Sequence, residues 1–394
     1  MAGSGALFAW ASIPKFARAA TARDPRFVTI ILRGALDGLS AVAPVGDPDY
    51  AGLHGELALR LDGDHPALPL DPFFALNPAM KSFHAMFKDG EAAVVHAAAT
   101  NYRDRSHFDG QDVLESGQPA PNMTDSGWLN RAVGAMPAGE RVARAGALGV
   151  GVSTPLVMRG PTATLGWAPE NLPPVGDDLV HRVLDMYAHS DPALGGALAK
   201  GIQTDKMAAK DGMGKPKPGY DPVAAMRRSA EGAAKLLAAD AGPRVAALAF
   251  DGWDTHIAEG GATGRLAQLL GGLDGALQAF KEKLGPAWAD TTILAVTEFG
   301  RTVHINGTTG TDHGTGTVAF LAGGAVKGGR VIADWPGLKP NALYQNRDLA
   351  PTTDVRAVAK GLLAAQFGLS EATLAKTVFP ETAGVKPMAD LVRA

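Results

Sequence analysis

Four runs of almost uninterrupted apolar residues, each stopping at a polar group, set the strongest limit on how this 394-residue chain can fold. They are Arg26 to Leu36 (RFVTIILRGAL), Glu91 to Ala99 (EAAVVHAAA), Arg244 to Phe250 (RVAALAF) and Thr291 to Thr297 (TTILAVT). None alternates polar with apolar residues, as a strand with one wet face would. Uninterrupted runs of this length belong to strands covered on both faces, the situation of a parallel sheet. Thr317 to Ala322 (TVAFLA) reads as a fifth strand.

Helical patterns fall between these runs. Leu266, Leu269, Leu270, Leu273, Leu277, Phe280 and Leu284 recur at three- and four-residue steps and predict a crossover helix. An amphipathic stretch begins at His107, and a last helix is expected over Thr353 to Phe367. Strands alternating with helices imply an α/β fold: a mostly parallel central sheet with helices on both faces. One domain over residues 23–394 is expected. Residues 179–235, rich in Ala, Lys, Gly and Met, read as a helical cap or insertion, and Asp47 to Asp71 reads as an irregular loop. The opening twenty residues are small and apolar and end in FARAA, which resembles an export signal, with a periplasmic or secreted location and Tat-type export expected. An ordinary frayed terminus is the alternative.

Composition removes several function classes. With no cysteine, disulfides, thiolate metal ligation and a cysteine nucleophile are excluded, so any metal must rest on oxygen and nitrogen. A net charge of −3 without a long basic block lacks the footprint of a nucleic-acid binder. No run of 18 apolar residues is present to span a bilayer.

In open parallel sheets, ligands bind beyond the carboxyl ends of the strands. The four runs lead there into Asp37, into the loop before Ser106, into Asp254 and His256, and into Glu298. Asp254 and His256 are two apart and can face the same way, a carboxylate and an imidazole for one divalent ion, or a solvated Asp with a backbone-bonded His. Trp253 is most simply a packing residue. Glu298 and Arg301 offer a carboxylate and an oxyanion-binding guanidinium, or a plain ion pair. Asp312 and His313 follow a Gly/Thr loop that allows close backbone approach. Ser106 stands at a strand-to-helix junction, either as a helix cap or as a nucleophile favoured by the helix dipole, with Arg103 or Arg105 near enough to hold an oxyanion. His107 reads as ligand, general acid or helix-start residue, and Asp109 and Gln111 as local caps.

Together RGALDGLS from Arg33, RSHFDGQ around Ser106, GWDTH, TEFGRT and the DHG at Asp312 resemble the family catalogued as domain of unknown function 1501, a secreted branch of the alkaline phosphatase/sulfatase superfamily. The resemblance implies an alkaline-phosphatase-like fold and two divalent ions, zinc at a His-bearing site and Mg, Mn or Ca at an oxygen-rich one. By that resemblance Asp37, Ser106 and Glu298 hold one metal, and Asp254, His256 and His313 the other, with Asp312 able to join either. Glu298 stands where an Asp-His pair is usual. The function implied is hydrolysis of phosphate mono- or diesters by in-line attack of Ser106, with Arg301 or Arg103 on the equatorial oxygens. No Cys or Ser opens an x-Pro-x-Arg or x-Ala-x-Arg signature, so phosphate is favoured over sulfate as the ester. A sulfatase-like hydrolase with an unmodified serine and a non-catalytic exported binding protein are the rivals. The expected partner is a small-molecule or polymer-borne ester.

Overall fold

The computed structural model describes residues 23–136, 146–151, 153–168, 183, 186–187, 221–240 and 242–393. Residues 1–22, read as an export signal, and most of the stretch 179–221 read as a cap lie outside the described residues.

The main sheet is built of β1 (Arg26–Arg33), β2 (Ala92–Ala99), β3 (Ala147–Val150), β4 (Thr164–Trp167), β5 (Val245–Asp251), β6 (Thr291–Val296), β7 (Thr317–Ala322), β8 (Arg330–Ile332) and β9 (Thr353–Asp354). Their spatial order is β8-β2-β7-β6-β1-β5-β3-β4, with β9 paired to the end of β2. β1 is central and parallel to both neighbours, Ile30 standing beside Leu248 on one side and Ala295 on the other. β7 alone runs antiparallel, against β2 and β6.

The helices covering this sheet are α1 (Lys81–Lys88), α2 (His107–Ser116), α3 (Trp128–Gly134), α4 (Pro222–Ala238), α5 (Arg265–Leu284) and α6 (Val355–Phe367). Val28, Ile30 and Leu32 of β1 enter the core shared with α1, α4 and α5, while Phe27 and Ile31 enter the core shared with α2, α3 and α6. Successive side chains of a strand point to opposite faces, so a strand without polar alternation needs cover on both. The leucine stripe of α5 is buried along its whole length. Residues 222–235, assigned from composition to a cap, are part of α4, whose Met226, Ala230 and Ala233 lie in the same core as α5. The Asp47–Asp71 stretch also contains regular structure: Tyr50–His54 is a short helix, and Leu68–Pro69 joins a small antiparallel sheet with Val42–Ala43 and Ala75–Leu76.

The polar groups ending the strands do meet at one rim. β1, β2, β5 and β6 point their carboxyl ends the same way, and β7, being reversed, brings the residues that precede it to that rim too. The extended run of β1 stops three residues short of Leu36 because Gly34 (φ +120°) and Ala35 (φ +64°) turn the backbone. A Cβ on Gly34 would stand 2.5 Å from the backbone nitrogen of Asp254, so glycine is what lets the β1 and β5 turns touch. Gly34→Ala is expected to destabilise the fold by more than ~1 kcal/mol, read as a lowered denaturant midpoint; an unchanged midpoint would contradict the close contact.

Candidate metal centre

His107 opens α2, and its ring stacks on the buried Phe299 at 5.0 Å. Its Nδ1 lies 2.8 Å from Glu298 Oε1, a carboxylate oxygen that can only accept, so Nδ1 carries the proton and Nε2 points away with a lone pair. His313 repeats the arrangement: its Nδ1 donates to the Arg105 carbonyl at 2.9 Å. His256 does so a third time, with Nδ1 3.1 Å from Asp312 Oδ1. The three Nε2 atoms therefore gather, His313 Nε2 lying 2.9 Å from those of both His107 and His256. Asp254 completes the group, with Oδ1 3.0 Å from His256 Nε2 and 3.4 Å from His313 Nε2, and Oδ2 3.5 Å from His107 Nε2. Donor atoms of His107, Asp254 and His313 fall within 4.8 Å of one another, close enough to share one ion.

Lone pairs and a carboxylate crowded together attract positive charge. Without a metal, that charge is a proton on His107. Burial works against it, but hydrogen bonds to Asp254 and Glu298 raise His107 to about 9. Burial likewise opposes ionisation of Asp254, yet the imidazoles of His107 and His313 and the Arg301 guanidinium hold it far below the usual carboxylate range. His256 is lowered, chiefly by burial and then by the charge of Arg301.

Several residues occupy other places than the sequence suggested. Glu298, expected as a ligand, is behind His107: Oε1 accepts from His107 Nδ1, Gln111 Nε2 and Gly34 N, and Oε2 from Thr297 Oγ1. Burial opposes its ionisation, but the hydrogen bond and charge of His107, and then Gln111, hold it at about 2. Arg301, expected to bind an oxyanion, is wholly buried, with Nη1 2.7 Å from Asp254 Oδ1 and Nε on Thr311 Oγ1. It offsets the charge of Asp254 and is out of reach of a dissolved ligand. Arg103 is turned onto the carbonyls of Thr100 and Tyr102. Asp312 is joined to His256 and to Asn306, and is 51% exposed.

Asp37 belongs to a separate buried group. Its Oδ1 caps the turn that follows it, and its Oδ2 lies 3.3 Å from His54 Nε2. Against strong burial, His54 holds Asp37 down to about 2, while burial and the charge of Asp37 push Glu259 well up, so Glu259 keeps its proton and bonds Asp37. Thr311 links this pair to the imidazoles, donating to Glu259 Oε2 at 2.6 Å and accepting from Arg301. Ser106 precedes α2 without capping it; its polar contacts are with Tyr102.

Sequence reasoning missed the support for His313. Arg105 has φ +58°, a conformation that costs a non-glycine residue energy, and its side chain is pinned by two bonds from Nε and Nη2 to the buried Asp348 Oδ2. Asp348 also accepts from Thr315 Oγ1. No local pattern marks Asp348 as the partner of a residue 243 positions away. Gln111 was readable only as a cap, although it stands within RSHFDGQ.

What is defined so far is a mixed α/β protein that gathers imidazoles and a carboxylate at the rim of a mostly parallel sheet. The chain belongs to the family described as Protein of unknown function (DUF1501), whose family model matches residues 76–379. No curated protein matches the sequence significantly. Among solved structures it is similar to Ps i-CgsB in complex with k-i-k-neocarrahexaose, at 12% identity and a TM-score of 0.44, over 92% of this chain and 77% of that one. A second structure of Ps i-CgsB gives 12% identity and a TM-score of 0.42, over 93% and 77% of the two chains. Among the described residues, no helix is long and apolar enough to cross a membrane.

His107 makes the stability of the fold depend on pH. Its folded value lies above the ordinary 6.5 of a free imidazole, so its contribution to stability is complete below about 6.5 and is lost as pH rises through about 9. Metal-stripped protein should therefore lose thermal stability between about pH 7 and 9.5, and His107→Gln should flatten that slope. Equal slopes for the two proteins would refute the assignment.

Proposed function

We propose that this chain is a metal-dependent hydrolase of phosphate or sulfate esters, with one divalent ion held by His107, Asp254 and His313 and with His256 as a fourth donor. The observation that carries the reading is the pairing of three Nδ1 atoms with oxygen acceptors, which turns three Nε2 atoms toward one another beside an ionised Asp254, where an ion would take the place of the second proton of His107. Metal-ligating histidines are oriented in this way by carboxylates and carbonyls behind them. Separations support the fit. Ligand atoms about 2.0–2.1 Å from a common ion lie roughly 2.9–3.4 Å apart at angles between about 90° and 109°. His107 to His313 is 2.9 Å, His313 to Asp254 3.4 Å and His107 to Asp254 3.5 Å. The nitrogen-rich set suits zinc.

Bound there, the ion would polarise an ester oxygen and lower the pKa of a coordinated hydroxyl. The chain's own part is orientation and charge. Glu298, Asp312 and the Arg105 carbonyl fix the rings, and Arg301 keeps Asp254 ionised without meeting the substrate. Ser106, directly before His107 at the start of α2, is assigned as the nucleophile: its hydroxyl is not spent on capping the helix, and the helix dipole favours an anion at that end. Attack by Ser106 Oγ on the phosphorus or sulfur forms a seryl ester as the alcohol leaves, and hydrolysis of that ester restores the hydroxyl.

Elemental analysis should find about one divalent ion per chain, lost in His313→Ala. Ser106→Ala should retain the ion and lose turnover of an aryl phosphate or aryl sulfate by at least ~10³-fold. Undiminished turnover in Ser106→Ala would remove the nucleophile. Protein without metal, whose melting point ignores a chelator, would overturn the hydrolase reading in favour of a binding protein.

A further inference from the structure

An oxyanion substrate needs a cation that solvent can reach, and the arginines marked out by sequence do not provide one. Arg301 is buried against Asp254, Arg103 is engaged by its own loop, and Arg105 is committed to Asp348 and Gln345. The segment from Tyr344 to Asp348 brings another. Its backbone is fastened to the site: Asp348 forms a bridge with Thr302, Val303 N donates to Arg347 O, and Thr302 N donates to Asp312 O. Gln345 (φ +54°) and Asn346 (φ +53°) make the turn that delivers Arg347 there.

Asp348 goes inward and is buried, whereas Arg347 remains 39% exposed. Among the described residues its guanidinium makes no side-chain hydrogen bond, and its one ion contact is Nη1 to Asp348 Oδ1 at 3.4 Å. Its field reaches Asp312, whose carboxylate it helps to keep ionised, after the larger effects of Asn306 and His256. Asp348 thus has a single negative charge shared between two guanidiniums, Arg105 and Arg347, so neither is fully neutralised by it.

We infer that Arg347 is the residue that binds the substrate's tetrahedral oxyanion, its unspent donors gripping the non-bridging oxygens of a phosphate or sulfate group presented to the imidazole cluster. A guanidinium fork matches two such oxygens at once, which an ammonium cannot do. The inference rests on the proposed metal centre and adds to it the group that recognises charge.

The test uses full-length protein with Co²⁺ replacing the native ion. Inorganic phosphate and sulfate are titrated against the visible Co²⁺ spectrum, and sulfate is titrated calorimetrically into both the metal-loaded and the metal-free protein. Arg347→Ala should weaken oxyanion binding at least tenfold while leaving Co²⁺ affinity and melting temperature unchanged, and Arg347→Lys should recover part of the loss. Equal oxyanion affinity in wild type and Arg347→Ala overturns the inference and leaves the metal centre standing. A wild type that takes up no Co²⁺ overturns the metal centre. The calorimetry on metal-free protein then decides the inference: weaker sulfate binding in Arg347→Ala sustains it, and equal or undetectable binding in both overturns it.

Discussion

Three ring protons govern the rim of this sheet. Each is held on Nδ1 by an oxygen that can only accept: the Glu298 carboxylate, the Asp312 carboxylate and the Arg105 carbonyl. Moving any of these protons to Nε2 would strip a partner from its acceptor, at a cost of about 1–3 kcal/mol where that acceptor is buried. The rings consequently have one stable orientation, and their lone pairs collect around Asp254. A site that repels itself in this way is stable only beside positive charge, so the protonation of His107 and the binding of a cation are two answers to one electrostatic demand.

The surrounding interior manages that demand by pairing charges in sequence. Arg301 is set against Asp254, Thr311 bonds both Arg301 and Glu259, and Glu259 keeps its proton beside an ionised Asp37 that faces His54. Few charges in this interior stand alone, which is what burial at such depth requires. Asp37 is thereby explained without a ligand role: it caps its own turn and anchors one end of this series.

The strands of the central sheet were legible because burial on both faces leaves a plain mark, an apolar run ending in a turn. β3, β4, β8 and β9 left no such mark, being two to four residues long with glycine, threonine and tryptophan among them. The rim was legible as a set of residues, since each polar group ends a readable strand. Its internal order was not. Whether a carboxylate faces an ion or the back of an imidazole depends on a few ångströms of packing, which is why Glu298, expected as a ligand, stands behind His107 instead. Arg301 read as an oxyanion binder or as the partner of Glu298, and its burial against Asp254 was hidden because one sequence does not reveal depth. Asp348 and Arg347 were invisible, for their significance comes only from folding: Asp348 meets Arg105, 243 positions away, and Arg347 is brought to the rim by its backbone bond to Val303.

One excursion of the chain, between β6 and β7, carries Glu298, Arg301, Asp312 and His313. The two strands that bracket it are stitched together on their own account, Phe320 to Ala295, Leu321 to Leu294 and Ala322 to Ile293. Framework and chemistry are thus separable along the chain. A relative could shorten or rewrite this one loop and keep every strand, losing the imidazole cluster in a single evolutionary step. Comparing the loop's length among relatives would sort those that keep the cluster from those that have lost it without reference to the remainder of the fold.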